Sequence, residues 1–410
     1  MRQQYLLFLE SNTTGTGRLF LNATKDLGLS PVLVTREPDR YDYVAEEHVD
    51  VLRVDTTDYA ATEAAVLRFA ELNSVAGIYS SSEYWIEAAA RLAKLLGLPG
   101  ANPDAVALAR NKWRQRERLE ERSLPVPGFC RLTSTQYVEL AVDCFSFPVI
   151  VKPTQGSGSV GVRLCRTLQE VKEQAAYLLA QTANERGLPI QREVLLEQYI
   201  IGPEYSVELF GLVPLGVTRK YLSPEPYFIE VGHDFPADIS AETSRVLKEA
   251  AIHAVQAVDL TWGPIHVEVR LTHSGPMVVE INPRLAGGFI PELVRQSLGV
   301  DLIRNTVLAV TGCTPEWTMT RRRHASIRFL VPPSQGVLSA VRGTAAAAKR
   351  EGVCEVMLYR RIGEYVSSHG DFRDRLGHVI ACGDSSQNAM RAAEQACEMV
   401  IVEVANNASN

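Results

Sequence analysis

The sequence predicts an α/β and α+β protein of several domains, and three observations lead to this fold class. The 410 residues are roughly two to three times the length of a typical domain. Strand-like and helix-like segments alternate over the first hundred residues, which is typical of a parallel sheet with helices on its faces. From about residue 194 to 300 strands predominate instead, so a region of different topology must follow the first domain.

The composition is that of an ordinary globular protein with a mildly acidic balance of charges. Hydrophobic residues make up 46% of the chain, and 42 Lys and Arg against 48 Asp and Glu give a net charge of −6. This composition supplies apolar side chains for sizeable cores and excludes a disordered tail protein. It also lacks the basic surface of a general nucleic-acid binder. Any anionic ligand must therefore be bound by a few well-placed cations.

The seven cysteines are scattered and contain no CxxC pair, which argues against a zinc ribbon or a redox motif. We expect reduced, mostly buried thiols in a cytoplasmic protein. The apolar run YLLFL at residues 5–9 is far too short to cross a membrane. We interpret it as a strand and expect no membrane association.

The order of elements divides the chain into segments. A cluster of structure breakers, PGANP, closes the alternating region at residue 103. A charged helix is predicted over residues 104–123, and the last segment is predicted to end in a helix over residues 385–404. The expected segments are residues 1–103, 104–195, 196–320 and 321–410.

The sharpest local motif is FPVIVKPTQGSGSVGV, residues 147–162. A strand ends near Lys152 and opens a loop with Gly156, Gly158 and Gly161, and the strand-like VRLC follows. Glycines let backbone N–H groups approach an anion closely, and the lysine adds a positive charge. No GK[ST] follows, so this is not a Walker A loop. The pattern predicts a strand–loop–strand flap over phosphates, and a plain hairpin turn is the alternative.

An earlier glycine loop, SNTTGTG at residues 11–17, lies between a strand and a helix, as a phosphate loop would. It lacks a third glycine after Gly15 and Gly17. We expect a tight turn there, or a contact with a substrate other than the nucleotide.

A second hairpin, residues 263–288, carries carboxylates on one face. Folding it symmetrically about Ser274 sets Glu268 opposite Glu280, and the alternation of side chains places Asn282 on the same face. Two carboxylates this close repel unless a cation lies between them. Oxygen ligands without His or Cys suit Mg²⁺ that bridges phosphates. A solvated hairpin with ordinary surface charges is the alternative.

Two neighbours of these carboxylates extend the interpretation. Arg284 follows on the same side if the strand continues, and its guanidinium suits a phosphate or a carboxylate. His266 shares the face of Glu268, where we expect it to pack or to support the site rather than bind metal.

The third element is VLLEQYIIGPEYSVELFG, residues 194–211. A strand ends at Glu197, and Gly202 and Pro203 turn the chain into Glu204. Backbone groups of such a connector often recognise adenine, and a carboxylate just beyond can accept two ribose hydroxyls. Solvated loop charges are the alternative when this segment is taken alone.

In this order and spacing, the three elements resemble the ATP-grasp superfamily over essentially the whole chain. The resemblance implies the ATP-grasp fold with ATP and Mg²⁺ as cofactors, Mn²⁺ being a substitute for Mg²⁺. It implies a Rossmann-like pre-ATP-grasp domain, the small and large grasp subdomains and a C-terminal lobe packed on the large subdomain, matching the segments 1–103, 104–195, 196–320 and 321–410.

The resemblance also implies a role for each residue of these motifs. It assigns the phosphates to Lys112 and Lys152, and the flap to Gly156, Ser157 and Gly158. It assigns the adenine to Glu197, Gln198, Tyr199 and Ile200, with the Glu197 carboxylate accepting from the amino group, and the ribose to Glu204. It assigns the metal to Glu268, Glu280 and Asn282, and catalysis at the γ-phosphate to Arg284 with Lys152.

Further segments resemble the carboxylate–amine ligases, especially the L-amino-acid ligases that form dipeptides. One is the end of the second hairpin, where Gly287 and Gly288 offer backbone donors to a substrate carboxylate next to Arg284. Another is YFIEVGHDFPA at residues 227–237. The substrate candidates are Glu83, Glu230, His233, Arg284, Gly287 and Gly288.

The resemblance implies an enzyme that forms carbon–nitrogen bonds. A carboxylate and ATP give an acyl phosphate and ADP, and an amine then displaces phosphate to form an amide. The implied partners are small, amino-acid-like acids and amines, with no nucleic acid, and a homodimer follows by analogy with this branch of the superfamily. One alternative is a carboxylase or purine-pathway ligase acting through carboxyphosphate or formyl phosphate, marked by bicarbonate-dependent ADP release. The other is a regulatory protein that binds ATP without turnover.

Overall fold

The computed structural model describes residues 3–13, 16–184 and 186–405, and the account of the fold refers to these residues. The first part of the chain alternates strands and helices. Its elements are β1 (Gln4–Leu9), α1 (Thr16–Asp26), β2 (Ser30–Thr35), α2 (Asp42–Glu46), β3 (Asp50–Arg53), α3 (Tyr59–Leu72), β4 (Ser74–Tyr79) and α4 (Ile86–Leu95).

These strands form a parallel sheet with the order β3-β2-β1-β4, as the alternating pattern predicts. The apolar run in β1 is buried on both faces, because Leu6, Leu7 and Phe8 are all fully inaccessible to solvent. Continuous burial of this kind is expected when helices cover both faces of a parallel sheet.

The second part of the chain forms a smaller antiparallel sheet with the order β5-β8-β6-β7. Its elements are α5 (Pro103–Ala109), α6 (Lys112–Glu121), β5 (Phe129–Leu132), α7 (Val138–Val142), β6 (Val149–Pro153), β7 (Arg163–Cys165), α8 (Leu168–Ala180) and β8 (Val194–Gln198). β6 and β7 pair as a hairpin around the glycine loop, as predicted. The expected segment boundary at residue 195 falls inside β8.

The prediction of one continuous helix over residues 104–123 is wrong. α5 ends at Ala109 and α6 begins at Lys112. Asn111 caps the second helix, because its side chain accepts a hydrogen bond from the backbone N–H of Arg114 over 3.1 Å. The backbone N–H of Lys112 donates to the carbonyl oxygen of Thr154 over 2.8 Å. The break therefore attaches Lys112 to the start of the glycine loop.

The third part of the chain supplies most of the largest sheet in the described structure. Its elements are β9 (Glu204–Phe210), β10 (Val213–Leu222), β11 (Glu230–Phe235), α9 (Ala241–Ala257), β12 (Pro264–Thr272), β13 (Gly275–Asn282), α10 (Ile290–Leu298) and α11 (Leu302–Val310). In the β12–β13 hairpin Glu268 is the register partner of Glu280, as predicted from the symmetry about Ser274.

The C-terminal part extends this same sheet, whose order is β13-β12-β9-β10-β11-β14-β18-β16. A separate small sheet has the order β17-β15-β19. The elements of this part are β14 (His324–Leu330), β15 (Gly336–Arg342), α12 (Thr344–Ala347), β16 (Val353–Leu358), β17 (Tyr365–Val366), β18 (Gly377–Gly383), α13 (Ser386–Glu398) and β19 (Ile401–Ala405).

The predicted terminal helix is correct only in its first part. α13 ends at Glu398, and the following IVEVA is a strand paired with β15. The amphipathic pattern of the helix runs directly into β-branched residues, whose preference for strands prevails once β15 offers a pairing edge.

All seven cysteines are free thiols, but the expectation that most are buried is wrong. Cys165 and Cys382 are buried, whereas Cys144, Cys313 and Cys354 are exposed. Among the described residues, no helix combines the length and the apolar character needed to cross a membrane.

Candidate functional site

A cleft of about 850 Å³, counting the part open to solvent, lies between the small antiparallel sheet and the large sheet. It brings together residues that are far apart in the chain. The site residues predicted from the sequence that line it are Lys112, Lys152, Gly156, Ser157, Gly158, Glu197, Gln198, Tyr199, Ile200, Glu204, Glu230, Glu268 and Glu280.

Two buried lysines, Lys112 and Lys152, lie at the end of this cleft to which the resemblance assigns the phosphates, called the phosphate end below. The ammonium group of Lys112 donates to the carbonyl oxygen of Gly156 over 2.8 Å and lies 2.9 Å from a carboxylate oxygen of Glu280. Lys152 lies 2.5 Å from an oxygen of Glu197. Burial lowers the pKa of Lys152, and the neighbouring Glu197 opposes this effect. Both cations are thus placed by carboxylates before any ligand is bound.

Glu197 is buried, and its carboxylate is already engaged. One oxygen pairs with Lys152 and the other accepts from the Nε of Arg116 over 2.7 Å. Burial alone would raise the pKa of Glu197, but Arg116 and Lys152 together hold it below its usual value. These contacts add a role that the resemblance does not assign, because a carboxylate in two ion pairs fixes the position of a lysine.

Glu204 begins β9 and lies between two cations. Lys220 approaches one of its oxygens to 2.9 Å, and the Nε of Arg270 donates to the other over 2.9 Å. Arg270 also donates to the carbonyl oxygen of Ile200 over 2.6 Å and lies 5.4 Å from the ring centre of Tyr199. The connector assigned to the adenine is therefore fixed to the carboxylate assigned to the ribose.

The glycine loop lies over the cleft and is anchored at several points. The hydroxyl of Ser159 donates to the carbonyl oxygen of Phe228 over 2.8 Å, and Gln174 donates to the carbonyl oxygen of Gly161 over 2.8 Å. Gly158 has a backbone φ of +65°, a conformation that favours glycine. The glycine loop therefore covers the end of the cleft at which Lys112 and Lys152 lie.

The paired carboxylates of the β12–β13 hairpin are each matched to a lysine. Glu268 lies 3.0 Å from Lys220, and Glu280 lies 2.9 Å from Lys112. Burial alone would raise the pKa of Glu268, but Lys220 and His266 keep it well below its usual value. Asn282 is 2% exposed and lies on the same face, as predicted.

His266 supports the Glu268–Glu280 pair through its side-chain contacts. Its Nδ1 lies 3.0 Å from Glu208, and its Nε2 lies 3.3 Å from Glu268. Burial alone would lower its pKa, but Glu208 and Glu268 raise it to about 9. A charged imidazole between two carboxylates orients Glu268, which agrees with the expectation of a supporting role.

The donor set fits a divalent cation. In the described part of the chain no three His, Cys, Asp or Glu side chains gather as a self-sufficient metal site. Two carboxylates and one amide oxygen leave further positions for phosphate oxygens and water, which is how Mg²⁺ is usually bound. The ammonium groups of Lys112 and Lys220 already place positive charge beside the carboxylates.

Arg284 lies beyond the end of β13, so the condition for its lying on the carboxylate face, a continuing strand, is not met. Its Nε pairs with Glu83, which follows β4 of the N-terminal sheet. Arg110 also lies 3.7 Å from Glu83. Burial alone would lower the pKa of Arg284, but Glu83 raises it. The N-terminal sheet therefore contributes a buried carboxylate that positions this arginine.

Three of the remaining substrate candidates, Glu230, His233 and Gly288, lie together, because a Cβ at Gly288 would lie 3.6 Å from a carboxylate oxygen of Glu230. His233 is fully buried, neither ring nitrogen has a hydrogen-bond partner within the described residues, and its Nε2 lies 3.5 Å from Glu230. A Cβ placed at Gly288 would lie 2.5 Å from that Nε2. His233 therefore packs beneath the turn that contains Gly288. A Cβ at Gly287 would meet no atom within 4 Å, so of these two neighbouring glycines it is Gly287 that borders open space.

Sequence reasoning missed Lys220, which pairs with three carboxylates while only 2% of its side chain is exposed. It also missed Arg270 and the apolar wall formed by Ile150 and Phe228. Strand register is the signal that could have identified the two cations, because Lys220 and Arg270 are both register partners of Glu204.

Of the early glycine loop, the structure describes residues 11–13, 16 and 17. A Cβ at Gly17 would overlap the backbone of Asn12 and the hydroxyl of Tyr43, so close packing explains this glycine. Gly15 lies outside the described residues.

Three family models match the chain in the order of its parts. The ATP-grasp N-terminal domain matches residues 21–100, the ATP-grasp domain residues 145–292, and the L-amino acid ligase C-terminal domain 2 residues 328–405.

Curated relatives extend the match over the whole chain. The uncharacterized protein y4rH of Sinorhizobium fredii is 34% identical over 394 residues, 96% of this chain and 82% of that protein. Human carnosine synthase 1 is 27% identical over 92% of this chain, which spans only 48% of that relative. The L-arginine-specific L-amino acid ligase of Bacillus subtilis is 23% identical over 82% of each protein.

Among solved structures, an L-amino acid ligase from Bacillus licheniformis superposes with a TM-score of 0.83 over 99% of this chain and 100% of that one, at 19% sequence identity. This likeness shows that the fold is shared.

Proposed function

The chain belongs to the ATP-grasp family of carbon–nitrogen ligases, and from that premise we propose that it joins an amino acid, through its carboxylate, to the amine of a second amino acid. The observation that carries the proposal is the continuity of one cleft. It runs from the lysines and paired carboxylates of the phosphate end to Glu230, with the Glu83–Arg284 ion pair beside it.

In the proposed reaction the protein stabilises charge and excludes water. Lys112 and Lys152 offset the charge of the phosphates, and Arg284 offsets charge on the transferring phosphoryl group and then on the tetrahedral oxyanion. The flap around Gly158 keeps water from the acyl phosphate, which would otherwise hydrolyse. No covalent bond to the protein is needed in either step.

We assign Mg²⁺, with Mn²⁺ as a substitute, to Glu268, Glu280 and Asn282. The cation supplies Lewis-acid stabilisation of phosphate charge when it is bound. His266 supports this assignment, because its contacts with Glu208 and Glu268 fix the orientation of a ligating carboxylate.

For the nucleotide we assign the ribose to Glu204 and the adenine to the backbone of Gln198, Tyr199 and Ile200, against Ile150 and Phe228. In this proposal the Glu197 carboxylate anchors Lys152. Its contacts with Lys152 and Arg116 support that role.

For the substrates we assign the reacting carboxylate to Arg284 and the backbone near Gly287. Glu230 faces the cleft and suits an ammonium or amine group. Glu83 positions Arg284, and His233 packs beneath the turn.

The decisive experiment is a matrix of amino acids offered in pairs, scored for ADP and phosphate and analysed for amide products by mass spectrometry. We expect ADP formation that requires two amino acids, with one amide formed per ADP. ADP formation that depends on bicarbonate, or tight nucleotide binding without turnover across the matrix, would overturn the proposal.

The proposal includes a cytoplasmic site of action and a homodimer. Light scattering coupled to size-exclusion chromatography tests the dimer, and fractionation of cells that express the protein tests the location.

A further inference from the structure

The C-terminal lobe reaches the cleft through residues 367–376, between β17 and β18, which we call the C-lobe loop. None of the residues of this loop lines the cleft. It nevertheless contacts the flap on one side and Glu230 on the other.

Phe372 of the C-lobe loop packs on the flap at Gly158. Its backbone N–H donates to the carbonyl oxygen of Gly158 over 3.2 Å. A Cβ at Gly158 would overlap the Phe372 ring, so this glycine is required by packing as well as by its positive φ. The Phe372 ring therefore supports the flap at Gly158, a residue that lines the cleft. Phe372 is still 39% exposed, so its removal would open no buried cavity.

Arg375 of the same loop binds both the side chain and the backbone of Glu230. Its Nη2 donates to a carboxylate oxygen over 2.7 Å, and its Nε donates to the carbonyl oxygen over 3.0 Å. The guanidinium lies 3.9 Å from the ring centre of Phe329, where a cation–π contact restrains it. Glu230 is thus fixed in place by an arginine that is itself fixed.

A third contact links the loop to the segment between the flap and Glu230. Gly370 packs against Tyr227, because a Cβ at Gly370 would lie 2.6 Å from the tyrosine ring. The neighbouring Phe228 accepts a hydrogen bond from Ser159 of the flap. The loop, the flap and this segment therefore meet at one place.

The C-lobe loop is held in one conformation by internal hydrogen bonds. The buried carboxylate of Asp374 accepts from the backbone N–H groups of His369 and Gly370, each over 2.8 Å. Asp371, also buried, pairs with Arg373 and accepts from its backbone N–H over 3.0 Å. These internal bonds fix the spacing between Phe372 and Arg375.

From these contacts we propose that the C-lobe loop couples the two ends of the cleft. Phe372 holds the flap closed, and Arg375 places Glu230 for the substrate only while the loop sits against the flap. Both are positioning residues, since neither touches a reacting atom. The part of the inference that concerns Glu230 rests on the proposed function, whereas the part that concerns the flap does not.

The test compares Phe372→Ala, Arg375→Ala and the double variant, with Ile362→Ala as the control. Ile362 is a 67% exposed apolar residue of the same lobe. Two quantities are measured, namely the dissociation rate of ADP in the presence of Mg²⁺ and the ADP released per amide formed. Phe372→Leu and Arg375→Lys keep bulk and charge and show whether conservative replacement restores each quantity.

We expect Phe372→Ala to speed ADP dissociation about tenfold, the size expected for loss of one aromatic contact. Both single variants should release more than one ADP per amide, because water reaches the acyl phosphate. The double variant should be no worse than the worse single variant, since residues that act through one element are not additive. Ile362→Ala should behave as the unchanged protein.

ADP dissociation needs neither acid nor amine, so this readout holds even if the proposed substrates are wrong. Unchanged ADP dissociation in Phe372→Ala would overturn the role of the loop at the flap. Single effects that multiply in the double variant would overturn the coupling. If an alanine variant melts at a lower temperature, Phe372→Leu and Arg375→Lys must still return each quantity toward that of the unchanged protein, and failure to do so overturns the proposal.

Discussion

The phosphate end of the cleft and its acceptor end are assembled in different ways. At the phosphate end, Lys152, the flap and the Glu268–Glu280 pair come from two hairpins whose residues are close in the chain. At the acceptor end, Glu83, Arg284 and Glu230 come from three separate elements, and Arg284 meets Glu83 across 201 positions of sequence.

From this difference we infer that the phosphate end serves every substrate in the same way, whereas the acceptor end can be adapted to different substrates. The phosphate end is preorganised by the ion pairs Lys112–Glu280 and Lys152–Glu197, neither of which includes a residue of the acceptor end. The acceptor end depends on how the N-terminal sheet and the C-lobe loop are positioned. Changes at the first end should abolish turnover with every substrate, and changes at the second should lower turnover or alter the choice of substrate while ADP affinity is kept.

The largest expected effect is at the phosphate end, in Glu280→Ala. Loss of this carboxylate removes an assigned metal ligand and leaves Lys112 without its partner, so ADP formation should fall by about 10³-fold or more for every amino-acid pair. Steady-state ADP release checks this. The exposed Glu242, replaced in Glu242→Ala, serves as the control. Full activity in Glu280→Ala would remove the basis of the metal assignment.

Lys220→Met should be nearly as severe, but through stability as well as activity. Three carboxylates would lose their shared cation in a buried place, which should lower the free energy of unfolding by roughly 3–5 kcal/mol. Chemical denaturation measures this, and Lys220→Arg should recover part of the loss. A Lys220→Met protein as stable as the parent would mean that the carboxylates are protonated or solvated.

An intermediate effect is expected at the acceptor end, in Arg284→Lys. The charge remains, but the planar guanidinium that pairs with Glu83 is lost, so kcat should fall about 10- to 100-fold. ADP affinity measured by calorimetry should stay within about twofold, because Arg284 does not line the nucleotide part of the cleft. A matching loss of ADP affinity would show that the two ends are not separable in this way.

The smallest effect is expected from a matched pair of neighbouring glycines. Gly287 borders open space, so Gly287→Ala should leave the melting temperature unchanged and raise KM for one substrate a few-fold at most. Gly288 has φ +59° and packs on His233, so Gly288→Ala should cost about 1 kcal/mol or more of stability. Unchanged KM for every substrate in Gly287→Ala would place the carboxylate subsite elsewhere.

The same contrast explains how much the sequence could predict. The parallel first sheet, the flap hairpin and the register of Glu268 with Glu280 follow from local periodicity and turn symmetry. The helix break before Lys112 did not follow, because the capping role of Asn111 was hidden in a run of charged residues with high helix propensity.

Long-range pairing set the other limits. The engagement of Glu197 by Arg116 and Lys152 depends on which strands and helices become neighbours in the fold. The C-lobe loop lies nearly 150 residues from Glu230 in the chain. No spacing rule in a single sequence reports such a contact.

The pairing of β11 with β14 joins the third part of the chain and its C-terminal part within one sheet. A chain truncated at residue 321 would leave the backbone of β11 without its partner from Gly232 to Phe235. An exposed edge of this kind recruits other chains, so such a fragment should aggregate rather than remain a smaller nucleotide-binding domain. Exchange of the C-terminal lobe between relatives should therefore succeed only when the whole of β14 and its partners are exchanged together.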